Sequence, residues 1–113
     1  TCHEHCAVNN QNSSRVHLDA TGIGAVCCGR HGAFYPHAVV DFHKGEQQRN
    51  MDYAFWHALQ SISPLLLVLM MYDIMCQYWI KFLARFAASA VLSLPSNISI
   101  QRGIGLFHVH GHK

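Results

Sequence analysis

Charge is what this sequence has least of: 12% of its 113 residues are Asp, Glu, Lys or Arg, while 50% are apolar. That balance excludes a disordered tail, whose composition would be polar and charge-rich. Six acids against eight Lys and Arg leave a net charge of only +2, so no broad basic field for phosphates exists. The ten histidines add positive charge only below about pH 6.5. Proline is also scarce, with Pro36, Pro64 and Pro95 serving as punctuation. Long apolar runs are missing as well. The aliphatic stretch from Pro64 to Met71 spans about eight residues, well short of the roughly 18 to 20 that a membrane-spanning helix needs. Asp73, Lys81 and Arg85 interrupt the apolar region beyond it, so no membrane association is expected.

The chain opens on Thr1 rather than Met and has no basic segment followed by an apolar stretch and a small-residue cleavage site, so a truncated start and no secretion are expected. Five cysteines, Cys2, Cys6, Cys27, Cys28 and Cys76, form an odd set with an adjacent pair. This is a poor disulfide framework and favours a reducing, intracellular setting. Asn12 and Asn97 fall in glycosylation-type triplets, a pattern common by chance. At this length the chain is one domain at most, with room for a modest core.

Residues 1–20, polar and rich in Asn, Gln, Ser and His, read as a connector. From Thr21 to Phe34 four glycines alternate with small and apolar residues, which suits a strand and a sharp turn. Pro36 punctuates, and His37 to Phe42 reads as a second strand, giving a hairpin. Asn50 is the expected cap of a helix running to Gln60, with Asp52 as a solvated charge in its first turn and Tyr53, Phe55, Trp56 and Leu59 on its apolar side. Pro64 to Tyr72 has the continuous apolar character of a strand buried on both faces. Cys76 to Ala90 is expected to be one helix, with Trp79, Ile80, Leu83 and Phe86 inward and Lys81 and Arg85 offset. Leu94 to Asn97 reads as a turn, and Gly103 to Lys113 as a last strand. The order implies a mixed α/β arrangement on one sheet.

Asp73 is the strongest candidate for chemistry. A carboxylate just past a buried strand stands where open α/β sheets place ligand and metal groups, and a hard cation such as Mg²⁺ takes oxygen ligands. The competing reading makes Asp73 the N-cap of the next helix. A two-metal site needs further acids, and Asp41, in a predicted strand, is the best of those left, although a structural or surface role suits it better. Cys2, His3, His5 and Cys6 offer zinc-type ligands, too tightly spaced for all four to wrap one tetrahedron. His108, His110 and His112 alternate, so on a strand they share one face, as a transition-metal patch or a merely polar surface. Cys27 and Cys28 would point to opposite faces, with at least one buried. His31 is placed for a phosphate contact or a structural hydrogen bond.

Four segments carry a more specific signal: HLDATGIGAVCCGRHGAF from His17 to Phe34, VVDFHKGEQQRNMDYAF from Val39 to Phe55, YDIMCQY from Tyr72 to Tyr78 and GIGLFHVHGHK from Gly103 to Lys113. In this order they resemble the core of the Kyakuja, Dileera and Zisupton (KDZ) transposases, as found in mushroom-forming basidiomycete fungi. The resemblance runs over nearly the whole chain, including the AVN of Ala7 to Asn9. It implies an α/β, RNase H-like catalytic domain, incomplete here, with residues 21–113 as a partial core whose mixed sheet is flanked by helices. It implies cleavage and joining of double-stranded DNA at transposon ends, in the nucleus, with Mg²⁺ or Mn²⁺ held by an acidic triad. Asp73 in YDIMCQY matches the second acid, which follows the fourth strand of such a sheet. The first acid and the closing glutamate fall outside this chain, which implies inactivity by itself. Relatives carry cysteine-rich zinc modules upstream, so the resemblance also offers Zn²⁺ for Cys2 and Cys6, the alternative being a zinc-stabilised binding module that includes His108 and His110, or the product of a decayed element.

Overall fold

A computed structural model describes residues 19–44, 47–62 and 67–109. The order of elements follows from where side-chain periodicity changes. β1 (Gly22–Cys27) and β2 (Phe34–Phe42) form an antiparallel hairpin, as expected. Its turn is closed by Gly32 N–H donating to the Cys28 carbonyl at 2.7 Å and Cys28 N–H to the Ala33 carbonyl at 2.8 Å. Gly32 takes φ 68°, which costs a residue without Cβ nothing. Pro36 lies inside β2 rather than before it, and the ladder breaks around it. Ala25 pairs with Val39 and Cys27 with Phe34, so residues 35–38 face Val26 alone, and His37 is forced to φ 59°.

α1 (Gln48–Ile62) begins two residues before the expected Asn50 cap. Met51, Ala54, Phe55, Ala58 and Leu59 recur at helical spacing and are buried. This stripe lies on the hairpin, where Gly24 makes a close approach possible: a Cβ there would come within 2.5 Å of the Met51 sulfur and 2.6 Å of the Phe42 ring.

β3 (Leu67–Met71) pairs in parallel with β4 (Ser99–Gly103). The expectation that β3 is buried on both faces is overturned. Val68 and Met70 pack on the core, while Leu67, Leu69 and Met71 are exposed. Continuous apolarity cannot distinguish two covered faces from one. The single helix expected over Cys76 to Ala90 is instead α2 (Met75–Tyr78) and α3 (Phe82–Ala88), separated at residues 79–81. The break resets the helical phase, so Tyr78, Phe82 and Phe86 face inward and Ile80 and Leu83 face out. The last strand is also revised: β4 ends at Gly103, and α4 (Leu106–Val109) follows it.

The architecture is mixed α/β, but the described residues form two two-stranded sheets, β1–β2 antiparallel and β3–β4 parallel, instead of one mixed sheet. The reason is that β1 and β3 do not pair with each other. One core cluster, built on Phe55, Leu59, Tyr78, Phe82 and Phe86, joins the inner faces of both sheets to α1, α2 and α3. Phe82 is wholly buried among Phe55, Tyr78, Trp79 and Phe86, with Trp79 stacked on it at 4.6 Å. Arg102 of β4 lies over the Trp79 ring at 4.6 Å and ties the parallel pair to this cluster. Among the described residues, no helix is long and apolar enough to cross a membrane.

Candidate functional site

The parallel pair delivers Asp73. Beyond the last strand residue, Tyr72 N–H donates to the Gly103 carbonyl at 3.1 Å and extends the pairing by one step. Asp73 comes next, half-buried in a turn, and lines a cleft of about 460 Å³. The N-cap position of α2 is Ile74, with no side-chain capping bond, so Asp73 stands one residue outside the cap. Asp73 is thus not at the N-cap position itself.

The cleft has a definite construction. One wall is Ala25, Val26 and Cys27 of β1, and the other is Val68 to Met71 of β3. Its floor is Met51, Phe55, Ala58, Leu59 and Ile62, one stripe of α1. Tyr35 also contributes, and Asp73 is the one charged side chain among the described lining residues.

The other acids lie elsewhere. Asp41 is exposed on β2, paired with Ile23 in the hairpin, and is absent from the cleft lining. Asp52 corrects an expectation: it is not a solvated helix-start charge but is 3% exposed at the centre of a polar network. Arg85 grips it with Nε to Oδ2 at 2.6 Å and Nη2 to Oδ1 at 3.0 Å. The Tyr78 hydroxyl donates to Oδ1 at 2.5 Å. The same guanidinium reaches Gln48 Oε1 at 2.9 Å and the Tyr78 carbonyl at 3.0 Å, and its carbon lies 4.8 Å from the Tyr78 ring centre. Burial, and then the hydrogen bond to Asp52, push the Tyr78 hydroxyl well above the usual tyrosine range. Every polar atom of this fork is directed at another part of the chain, so Asp52 fastens α1 to α2 and α3 and is unavailable as a metal ligand. The sequence did hold a signal for it. Asp52 borders the apolar stripe of α1, and Arg85 follows Tyr78 and Phe82 on the inward side of the second helical region, opposite charges at the margins of two faces that pack together.

At the hairpin turn Cys28 Sγ lies 3.4 Å from His31 Nδ1. The His31 main-chain N–H, its ring and the Arg30 main chain lower the Cys28 thiol to about 7. His31 is thus in hydrogen-bonding contact with Cys28 at the turn. Cys27 is exposed and Cys28 half-exposed, so the expected buried thiol is not found. Both are free, whereas Cys76 is disulfide-bonded, which corrects the expectation of a uniformly reduced set.

For metals, Asp73 has the hard oxygen chemistry that Mg²⁺ or Mn²⁺ requires. The described residues nevertheless contain no group of three His, Cys, Asp or Glu able to hold an ion, so they do not complete a coordination shell. His108 is in α4, and strand geometry ends at Gly103, which removes the alternation argument on which its pairing with His110 rested. Cys2, His3, His5, Cys6, His110 and His112 lie outside the described residues, as does nearly all of the proposed connector.

A half-buried carboxylate at the carboxyl end of a parallel strand, beside a helix-floored cleft, defines an α/β domain that presents polar groups at its strand ends. The Kyakuja-Dileera-Zisupton transposase family model matches residues 1–113, so the chain belongs to the KDZ transposase family. No curated protein and no solved structure matches it.

Proposed function

We propose that this chain is part of the catalytic domain of a DNA transposase with an RNase H-like fold, in which Asp73 is one carboxylate of a divalent-metal centre. The position of Asp73 carries the reading: it follows the parallel pair directly, opens onto the cleft, and is not at the N-cap position. The family match supports a transposase origin, with double-stranded DNA at transposon ends as substrate and the nucleus as the place of action. A bound Mg²⁺ or Mn²⁺ would supply Lewis-acid activation of the attacking hydroxyl and stabilisation of the leaving oxygen. The residues here contribute only a ligand and the scaffold that aims it. One carboxylate does not make a two-metal centre, so this reading requires further acidic ligands beside Asp73.

The test is calorimetric titration of Mg²⁺ and Mn²⁺ into the wild type and Asp73→Asn, with circular dichroism as the check on fold. Binding present in the wild type and lost in a folded Asp73→Asn supports the assignment. Equal binding, or none in either folded protein, removes Asp73 from the metal centre.

A further inference from the structure

Outside the cleft, two imidazoles from different elements meet. His37 belongs to the irregular part of β2 and His57 to α1, and their ring centres are 5.9 Å apart. Two imidazole nitrogens on one transition-metal ion, each at about 2.1 Å, put the ring centres about 5 to 6.4 Å apart, because a ring centre lies about 1.1 Å behind its nitrogen. The observed separation falls in that range, and the interplanar angle of 50° keeps the rings from stacking on each other. Both rings are set before any ion arrives. His57 makes T-shaped contacts with Tyr53 at 4.5 Å and Trp56 at 4.9 Å, its neighbours on the helix. Among the described residues His37 is the one non-glycine residue with positive φ, a conformation that costs an L residue energy and clusters at functional positions. The bulge around Pro36 imposes it and re-aims the side chain towards α1. Neither ring hydrogen-bonds another described residue, so the nitrogens are open to a ligand.

We propose that His37 and His57 form a two-histidine chelate for an imidazole-preferring transition-metal ion, with Zn²⁺ as the type, where β2 meets α1. Neutral imidazole suits zinc, copper and nickel, whereas the Mg²⁺ and Mn²⁺ considered at Asp73 take oxygen ligands. The inference therefore does not rest on the metal role of Asp73, and neither histidine lines its cleft. Two protein ligands are fewer than the three or four of a resident zinc, in keeping with the lack of any three-residue group among the described residues. Waters complete the shell, and the ion exchanges with solvent. Held between β2 and α1, it bridges the hairpin to the helix, so binding favours the folded arrangement that brings the two rings together.

The probe is Zn²⁺ alone, titrated into the full chain at about pH 7.5, where ordinary histidines are neutral. Imidazole nitrogens are followed one by one by NMR, which keeps His37 and His57 apart from the other histidines and the cysteines of the chain. The expected result is that both rings shift together and saturate with one shared dissociation constant. His37→Asn keeps a residue type at ease at positive φ, and His57→Gln keeps a good helix former, with circular dichroism as the check on fold. Removing either ring should weaken zinc binding at the other about tenfold or more, because the second ligand of a chelate binds at high effective concentration. A ring that keeps its affinity when the other is removed overturns the proposal. So do separate saturation constants for the two rings, or no shift of either in the folded wild type. Should a variant not fold, the pair of wild-type curves still decides.

Discussion

The helical side and the strand side of this molecule are built on different terms. On the helical side, α1, α2 and α3 close around Phe82 and Tyr78, and the one buried acid among the described residues, Asp52, has its carboxylate engaged by Arg85 and Tyr78. On the strand side, Ile23, Val39, Leu67, Leu69 and Met71 are all more than half exposed, and two edges flank an open cleft. The buried core therefore concentrates on the helices, although Ile80 and Leu83 are exposed there too, and the strands leave a larger share of their apolar side chains uncovered. Satisfied interiors resist substitution, whereas uncovered apolar surface and unpaired edges mark places where something else docks.

Substitutions on the two sides put that contrast to the test. Phe82→Ala should have the largest effect, costing about 4 kcal/mol, because it removes a fully buried ring from the centre of the aromatic cluster. Urea unfolding at constant slope measures it, and a loss below about 1 kcal/mol would move the stability centre away from the helices. Asp52→Asn should cost about 3 kcal/mol, since it strands the partly buried Arg85 guanidinium, 20% exposed, without its counter-charge. The double variant with Arg85→Met should recover part of that loss, a recovery that a purely steric role for Asp52 does not predict.

Tyr78→Phe should cost about 1.5 kcal/mol by deleting a hydrogen bond to a charged acceptor. It also has a pH signature. The folded-state pKa of Tyr78 is raised, so its contribution is fully present below the unfolded tyrosine value of about 10 and is lost as pH rises beyond it. The wild type should therefore show a steeper alkaline loss of stability than Tyr78→Phe, and parallel curves would contradict the buried network.

On the strand side the same measurement should barely respond. Leu69→Thr should change stability by less than about 0.5 kcal/mol, the range of substitutions at exposed positions. A loss near that of Phe82→Ala would show that the strand face is already covered. Smallest in stability but distinct in chemistry, Cys28 should be alkylated by iodoacetamide with a midpoint near pH 7, reacting faster as pH rises through that value. His31→Ala should move the midpoint upward only part of the way to an ordinary thiol, because the main-chain donors at His31 and Arg30 remain.

Much of the element order was legible along the chain, because hairpin, helix and aliphatic strand each leave a local period. Glycines marked the hairpin, although Pro36 lies inside β2 and not before it, and Phe55 and Leu59 marked α1, although its buried stripe is completed by Met51, Ala54 and Ala58 while Tyr53 is exposed. Errors arose where local pattern and tertiary placement part company. The break at residues 79–81 shifted the inward face from Ile80 and Leu83 to Phe82, and no strong breaker residue announces it. Asp52 looked like a first-turn charge because its partners, Tyr78 and Arg85, lie 26 and 33 residues further on. Asp73 was found as a candidate from its place after an aliphatic run, but only the structure placed Ile74, not Asp73, at the N-cap position.

Local elements and family membership come from the sequence alone, because periodicity and ordered motifs are properties of the chain read in one dimension. It took the packed molecule to show that Asp52 is buried and committed, that β3 is covered on one face only, and that β1 and β3 stand apart across a cleft. Burial, ion pairing and strand adjacency depend on which distant segments meet. That is set by the packing of α1, α2 and α3 around their shared core.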